Sequence, residues 1–385
     1  MKVGIITFYY NSVNYGGNLQ AFALCEAIKQ HTGYDVEQIS YDMSSSVSNA
    51  NGIKPVIKNI LRTPLRILRK VRTYFENFGI NTKLKIRKKA FNGFNKNIIE
   101  HSKKIYTKKN ICQCIDNYDI FVAGSDQIWN PMWSDFVYRL EFVPSNKKKI
   151  AYAVSLGRKY LSYGEEDMFE NCMRDFDAIS VREQQSIELL KDFSPVDIEW
   201  ALDPTLLLDS YDWDKIVTER KVKGDYVFCY FLGDDINQRR LAKEISKKRN
   251  IKIVTLPNIM GKKRKCDMDF GDIKLYDVSP SDFVSLIKNA SFVITDSFHA
   301  TVFSYIYKKE FVVLERTEYK AMSTRISSLM KLIGLNDRFL NTEEKSTLAY
   351  IEDLSKINYE SYSEEFINAR KSSIEFLKNN LIGNK

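Results

Sequence analysis

KVGIITFYYNSVNYGGNLQAFALCEAIKQ, residues 2–30, decides the fold class. The β-branched run from Lys2 to Thr7 predicts a strand, and the polar, glycine-bearing residues 9–18 predict a loop. Apolar side chains at helical spacing from Leu19 to Ile28 predict a helix, and YDVEQISYD, residues 34–42, returns as a strand. Strand, helix and strand in that order imply a parallel sheet with helices on its faces.

The same alternation continues to the end of the chain. YDIFVAGSDQIWN (118–130), KKIAYAVSLG (148–157) and FDAISVREQQSIELLK (176–191) each read as a strand leading into a loop, the last followed by a helix. IEWALDPTLLLD (198–209) closes this half, and a boundary is expected near Asp209. Beyond it, DYVFCYFLGDD (225–235), SFVITDS (291–297) and EFVVLER (310–316) are strands with helical segments between them. SEEFINARKSSIEFLKNNL (363–381) is one amphipathic helix, expected to close the second domain. With 385 residues to place, two domains are the expectation: an α/β fold of two Rossmann-like domains, 1–209 and 210–385, facing a cleft.

Composition narrows the class. No run of about 18 apolar residues is present, so no transmembrane helix is expected. MKVGIITFYY reads as a strand rather than a signal peptide, which points to the cytoplasm. The six cysteines form no CxxC pair, so no metal site is expected. The net charge of +9 favours an anionic partner. Part of that charge lies in a basic amphipathic insertion, 53–89. Residues 43–75 contain no Asp or Glu, while Arg62, Arg66, Arg69 and Arg72 interleave with apolar residues. A helix packed on the first domain and a helix on an anionic membrane surface both fit this pattern. No aromatic platform accompanies it, so nucleic acid is not an expected partner.

Ligands of doubly wound sheets bind beyond the carboxyl ends of the strands. The polar residues there are Asn14, Gly16, Gly17, Asn18 and Gln20; Ser125, Asp126, Gln127 and Asn130; Ser155 and Arg158; Arg182; Asp203; Asp296, Ser297 and His299; and Arg316. Gly16-Gly17 either admits an anion to a helix N-terminus or forms a tight turn. It is not GxGxxG, so no dinucleotide is indicated. Arg182 either grips a phosphate or carboxylate, or pairs with Glu183 or Glu188. His299, one of three histidines, is either a proton donor or acceptor or a hydrogen-bonded cap.

NYGGNLQAFAL, VAGSDQIWNP, ISVREQQS, LDPTLLL and ITDSFHATVFS, in that order over residues 1 to about 330, resemble the polysaccharide pyruvyl transferases. Ala300 stands where many members have glycine after the histidine. The resemblance implies a GT-B-like fold, with the first domain on the acceptor side and the second on the donor side. It implies transfer of the pyruvyl group of phosphoenolpyruvate onto two sugar hydroxyls as a cyclic ketal. The setting would be bacterial surface polysaccharide biosynthesis, of capsule or exopolysaccharide. The donor site would hold Arg182, Ser297, Phe298, His299 and Arg316. The acceptor site would hold Asn14, Gly16, Gly17, Asn18, Gln20, Ser125, Asp126, Gln127 and Asn130. Arg182, His299 and Asp126 would be catalytic, with His299 working on the donor and Asp126 as a base, a role for which Asp296 competes. Neither metal nor cofactor is expected. A polyprenyl-diphosphate-linked acceptor would bring the enzyme to the inner face of the plasma membrane. Two other functions fit the same pattern. One is a GT-B glycosyltransferase using a nucleotide sugar, with Glu315 and Glu318 as candidate ribose partners. The other is a non-catalytic protein that binds anionic glycans or lipids.

Overall fold

A computed structural model describes residues 1–43, 64–259, 264–316, 320–341, 347–360 and 363–382, without the side chains of 64–78, 320–323 and 347. The strands among them are β1 (Lys2–Ile6), β2 (Asp35–Gln38), β3 (Ile120–Asp126), β4 (Lys148–Val154), β5 (Ala178–Val181) and β6 (Ile198–Trp200) in the first half. The second half holds β7 (Tyr226–Tyr230), β8 (Lys252–Thr255), β9 (Ile273–Lys274), β10 (Phe292–Thr295), β11 (Phe311–Leu314) and β12 (Phe339–Leu340). Both halves form parallel six-stranded sheets, ordered β2-β1-β3-β4-β5-β6 and β12-β11-β10-β7-β8-β9. The uninterrupted apolar runs of β1, β3, β7 and β10 follow from this arrangement, because a parallel strand is covered on both faces.

The helices that cover the sheets are α1 (Tyr15–Thr32), α2 (Pro64–Asn97), α3 (Glu165–Met173), α4 (Gln185–Leu190), α5 (Ser210–Asp214), α6 (Ile236–Arg249), α7 (Pro280–Lys288), α8 (Phe298–Ile306), α9 (Lys320–Leu332), α10 (Thr347–Asp353) and α11 (Glu364–Ile382). Their ends carry the local signals that stop and start helices. Asn14 caps α1 by accepting from the Gly17 amide, and Gly33 ends it in the left-handed region at φ 70°. Asp209 caps α5 and Ser279 caps α7, each in a capping box, and Ser297 caps α8.

Three apolar clusters hold these layers. One covers the outer face of the first sheet around Phe121, Trp129 and Phe169, and another the outer face of the second around Val227, Ile245 and Ile294. The largest lies between the sheets and is common to both halves. Helix α1 runs through it, buried on nearly every side. Tyr15 at its start stacks on Phe283 of α7, with ring centroids 4.6 Å apart, and donates its hydroxyl to the Val278 carbonyl at 3.0 Å. A buried tyrosine is tolerated where its O–H finds such a partner.

Helices α11 and α2 cross between the halves. Helix α11, expected to close the second domain, returns to the first. There Ser373 accepts from the Leu202 amide at 2.9 Å, and Arg370 donates to the Leu207 carbonyl at 2.8 Å. Helix α2 reaches the other way. Arg87, 5% exposed, donates to the carbonyls of Pro257, Leu275 and Tyr276. The basic run at 83–89 is therefore partly an internal joint. Residues 53–63 of the basic insertion lie outside the described residues, as do Arg62 and the side chains of Arg66, Arg69 and Arg72. Among the described residues no helix is long and apolar enough to cross a membrane.

Candidate active site

In each sheet the strand order reverses once, between β1 and β3 and between β7 and β10. Such switch points open a crevice, because the loops on either side leave in opposite directions. Here the two crevices face each other. His299, in the first turn of α8, lies directly over Gly16 in the first turn of α1. A β-carbon on Gly16 would fall 2.0 Å from His299 Nδ1. Gly16 is thus required for close approach of the two halves at this point.

The other ring nitrogen, Nε2, points at Asp203, 3.5 Å from its Oδ2. The same carboxylate oxygen accepts from Arg182 Nη1 at 2.7 Å, while Oδ1 accepts from the Thr205 amide at 3.0 Å and hydroxyl at 2.6 Å. Burial alone would push the Asp203 carboxyl up, but His299, Arg182 and Thr205 together hold it well below the usual carboxylate range. Arg182 is 8% exposed and stands 3.6 Å from Asp126 and 3.8 Å from Glu183. Its Nε and Nη2 are buried and make no hydrogen bond. The ring of Phe298 lies 5.6 Å from its guanidinium carbon. The ion pair expected of Arg182 exists, but its short partner is Asp203 rather than Glu183 or Glu188.

The remaining candidate residues fall into two groups. Gln20 donates to the Thr7 hydroxyl and the Gly17 carbonyl and accepts from the Ser125 amide. Ser125 donates to the Ala153 carbonyl, Asn18 to the Ser12 and Asn14 carbonyls, and Asn14 caps α1. Asn130 accepts from the Met132 amide and from Arg158, which also pairs with Glu165. Ser155 donates to Glu183 and Ser297 caps α8. These side chains brace strand ends to loops. Asp296 does the same. Its two oxygens accept from the Leu232 and Gly233 amides at 2.6 and 2.7 Å, and Arg316 Nε donates to its carbonyl at 3.0 Å. Asp126, at φ 71°, is different, for its carboxylate faces Arg182 and the approach to Gly17. Gln127 also leaves its own loop. It sits against Gly157, where a β-carbon would come 2.7 Å from its amide carbon.

A cavity of about 810 Å³ opens beside this cluster. Arg182, Trp200, Asp203, Phe298, Arg325 and Leu329 are among the residues that line it. Its size suits a small anion together with a sugar. Arg325 and Trp200 were not among the candidate residues, and Asp203 had no assigned role. The signal for Asp203 was present in DPT, a side-chain cap followed by proline at the first helical position. For Arg325, within MSTRISS, no local pattern marks the residue.

Comparison with known proteins agrees with this architecture. A UDP-GlcNAc 2-epimerase from Methanocaldococcus jannaschii superposes with a TM-score of 0.54 at 12% identity, covering 100% of both chains. A protein of Listeria monocytogenes described as a UDP-N-acetylglucosamine 2-epimerase superposes with a TM-score of 0.51 at 14% identity, covering 100% of this chain and 97% of the other. At that identity they show the fold alone, which is the expected GT-B-like pairing of Rossmann-like halves. No curated protein matches the sequence. The model of the polysaccharide pyruvyl transferases, however, matches residues 14–318, a span that takes in Gly16, Arg182, Asp203 and His299. The chain therefore belongs to the polysaccharide pyruvyl transferase family.

Proposed function

We propose that this transferase moves the pyruvyl group of phosphoenolpyruvate onto two hydroxyls of a sugar as a cyclic ketal, and that the acceptor is a lipid-linked oligosaccharide of a bacterial surface polysaccharide. The observation that carries the reading is the position of His299. One ring nitrogen faces the Asp203–Arg182 pair and the other lies at the Gly16 end of α1. An imidazole with a carboxylate beside one nitrogen can move a proton on the other.

The reaction follows from the chemistry of the donor. A proton placed on the methylene carbon leaves an oxocarbenium-like centre at C2. One sugar hydroxyl attacks it and loses its proton, the C2–O bond to phosphate breaks, and the second hydroxyl closes the ring. The products are the ketal and inorganic phosphate. The two hydroxyl protons balance the one added to carbon and the one taken by the leaving phosphate. His299 is assigned the proton transfer at the donor and Asp126, beside Arg182, the acceptor hydroxyl. Arg182 has two buried N–H-bearing nitrogens without hydrogen-bond partners, which suits an anionic donor. Family membership and the absence of a dinucleotide motif support the reading.

Thermal stability with phosphoenolpyruvate, against UDP- and GDP-sugars, tests it first. Phosphoenolpyruvate held well above its dissociation constant should raise the melting temperature, and Arg182→Ala should abolish the shift. With an acceptor glycoside, the protein should release phosphate, and His299→Ala should slow this by about 10²–10⁴-fold. A shift with nucleotide sugars alone, or full turnover by His299→Ala, would overturn the assignment.

A further inference from the structure

Arg325 projects from α9 of the second half to the loop after β3 of the first. With its amide oxygen toward the guanidinium, Gln127 accepts from Arg325 Nη2 at 2.7 Å and from Nη1 at 3.0 Å. Nε is buried and has no partner. The carboxylates nearby, Asp126, Glu183 and Asp203, all pair with Arg182, and among the described residues none forms an ion pair with Arg325. A neutral amide therefore holds this guanidinium in place, and among the described residues no carboxylate lies within ion-pair distance of it. Burial pushes its pKa down to about 10, the positive charge of Arg182 adds to the effect, and the carboxylates of Glu183 and Asp126 offset only part of it. A buried cation without a counter-ion is costly, and it is kept where an anion arrives to complete it.

Both arginines line the 810 Å³ cavity. Between them Arg182 Nε, Arg182 Nη2 and Arg325 Nε are buried donors without hydrogen-bond acceptors. Two guanidinium forks with three such nitrogens match the several oxygens of a phosphate monoester better than a single carboxylate. Arg182 already faces three carboxylates at ion-pair distance, so of the two guanidinium groups Arg325 is the one without an ion pair among the described residues.

We infer that Arg325 is a further donor-binding residue, which takes the phosphate of phosphoenolpyruvate opposite Arg182, and that Gln127 holds its fork ready without forming an ion pair with it. The inference rests on the donor reading above for the identity of the ligand. It makes a prediction of its own about Gln127. A glutamate there would put a carboxylate on Arg325 at the distances where the amide now sits, which should stabilise the empty protein and block the anion.

The test is calorimetric titration and thermal melting of the full chain with inorganic phosphate and with phosphoenolpyruvate, for the wild type, Arg325→Gln, Arg325→Lys and Gln127→Glu. The expected result is weakening of phosphoenolpyruvate binding by about 10- to 100-fold in Arg325→Gln, the loss of a charged hydrogen-bonding partner. Gln127→Glu should weaken it similarly while melting higher than wild type without ligand, and Arg325→Lys should fall between. Gln127→Glu keeps the test decisive should Arg325→Gln fail to fold. Binding within twofold of wild type in both Arg325→Gln and Gln127→Glu would overturn the inference. If phosphate and phosphoenolpyruvate bind through Arg325 but no ketal forms with any acceptor, the anion site stands and the donor reading falls. If Arg325→Gln forms ketal with an unchanged KM for phosphoenolpyruvate, the donor reading stands and Arg325 has no part in it.

Discussion

Two buried arginine–aspartate pairs sit at strand ends in this molecule, and they do different work. Asp296 follows β10 in the second half, and both its oxygens accept from backbone amides of the loop after β7. Arg316 stands 3.8 Å from Oδ2 and donates to the Asp296 carbonyl instead. Asp203 follows β6 in the first half, and its oxygens meet Thr205, Arg182 and His299, the last from the opposite half. Neither carboxylate is more than 1% exposed. Yet burial pushes the Asp296 carboxyl up, whereas the charged and polar partners of Asp203 outweigh burial and pull it down. Burial and residue type do not separate a brace from a site. The partners do: backbone amides of one loop in one case, side chains that come from both halves, of which Arg182 lines the cavity, in the other.

Changes that bear on this contrast have effects of graded size. Asp203→Asn should be the most disruptive, since it leaves buried Arg182 without its short partner. A loss of about 3–5 kcal/mol is expected in denaturant unfolding, with loss of turnover. Its pH signature has a definite sign. The folded carboxyl stays ionised while the unfolded one takes up its proton near pH ~4, so its stabilisation is present above that pH and fades as acidity increases. Asn at this position should flatten the acid limb of the stability curve. Asp296, shifted upward, works in the opposite sense: protonation on acidification favours the fold.

Gly16→Ala should come next, because its methyl group would displace His299. Turnover should drop by about 10²-fold if the ring moves by roughly 1 Å. The stability cost should be smaller, about 1–3 kcal/mol for overpacking. A Gly16→Ala protein with normal turnover would mean that the ring is not held at its working position by this contact. Asp296→Asn should cost about 1–3 kcal/mol in unfolding, because one backbone N–H loses its acceptor. Its dissociation constant for phosphoenolpyruvate should stay near that of wild type, and a large change would erase the distinction between brace and site. Gly93→Ala should have the smallest effect. Gly93 lies in α2 with nothing within 4 Å of an added β-carbon, so the variant should gain about 0.5–1 kcal/mol in stability and keep full activity.

Much of this was readable from the chain. The strands announce themselves by β-branched runs, whereas α1 begins at Tyr15, four residues before the helix expected from Leu19, and Asn14 and Ser297 cap helices rather than stand free at strand ends. Strand-end polar residues pointed to the crevices, and His299, Arg182 and Gly16 do meet there. The pattern could not say which strand-end side chains stay free. Gln20 and Ser125 look as polar as Asp126, but the Ser125 amide donates to the Gln20 side chain and ties β3 to α1. Arg325 sits in an unremarkable helix and gains its meaning from Gln127, nearly two hundred residues earlier. The amphipathic periodicity of α11 showed that one face is buried without naming the surface that buries it.

That division has a physical basis. Backbone conformation and the apolar face of each element depend on neighbours within a few residues, so periodicity and capping residues encode them locally. Strand order and the return of α11 to the first half depend on how those faces cover one another. The charge state of Asp203 and the burial of Arg325 against Gln127 depend on which groups arrive within a few ångströms from distant parts of the chain. Electrostatic coupling and desolvation are functions of distance in space, and that distance exists only after the two sheets have packed around α1.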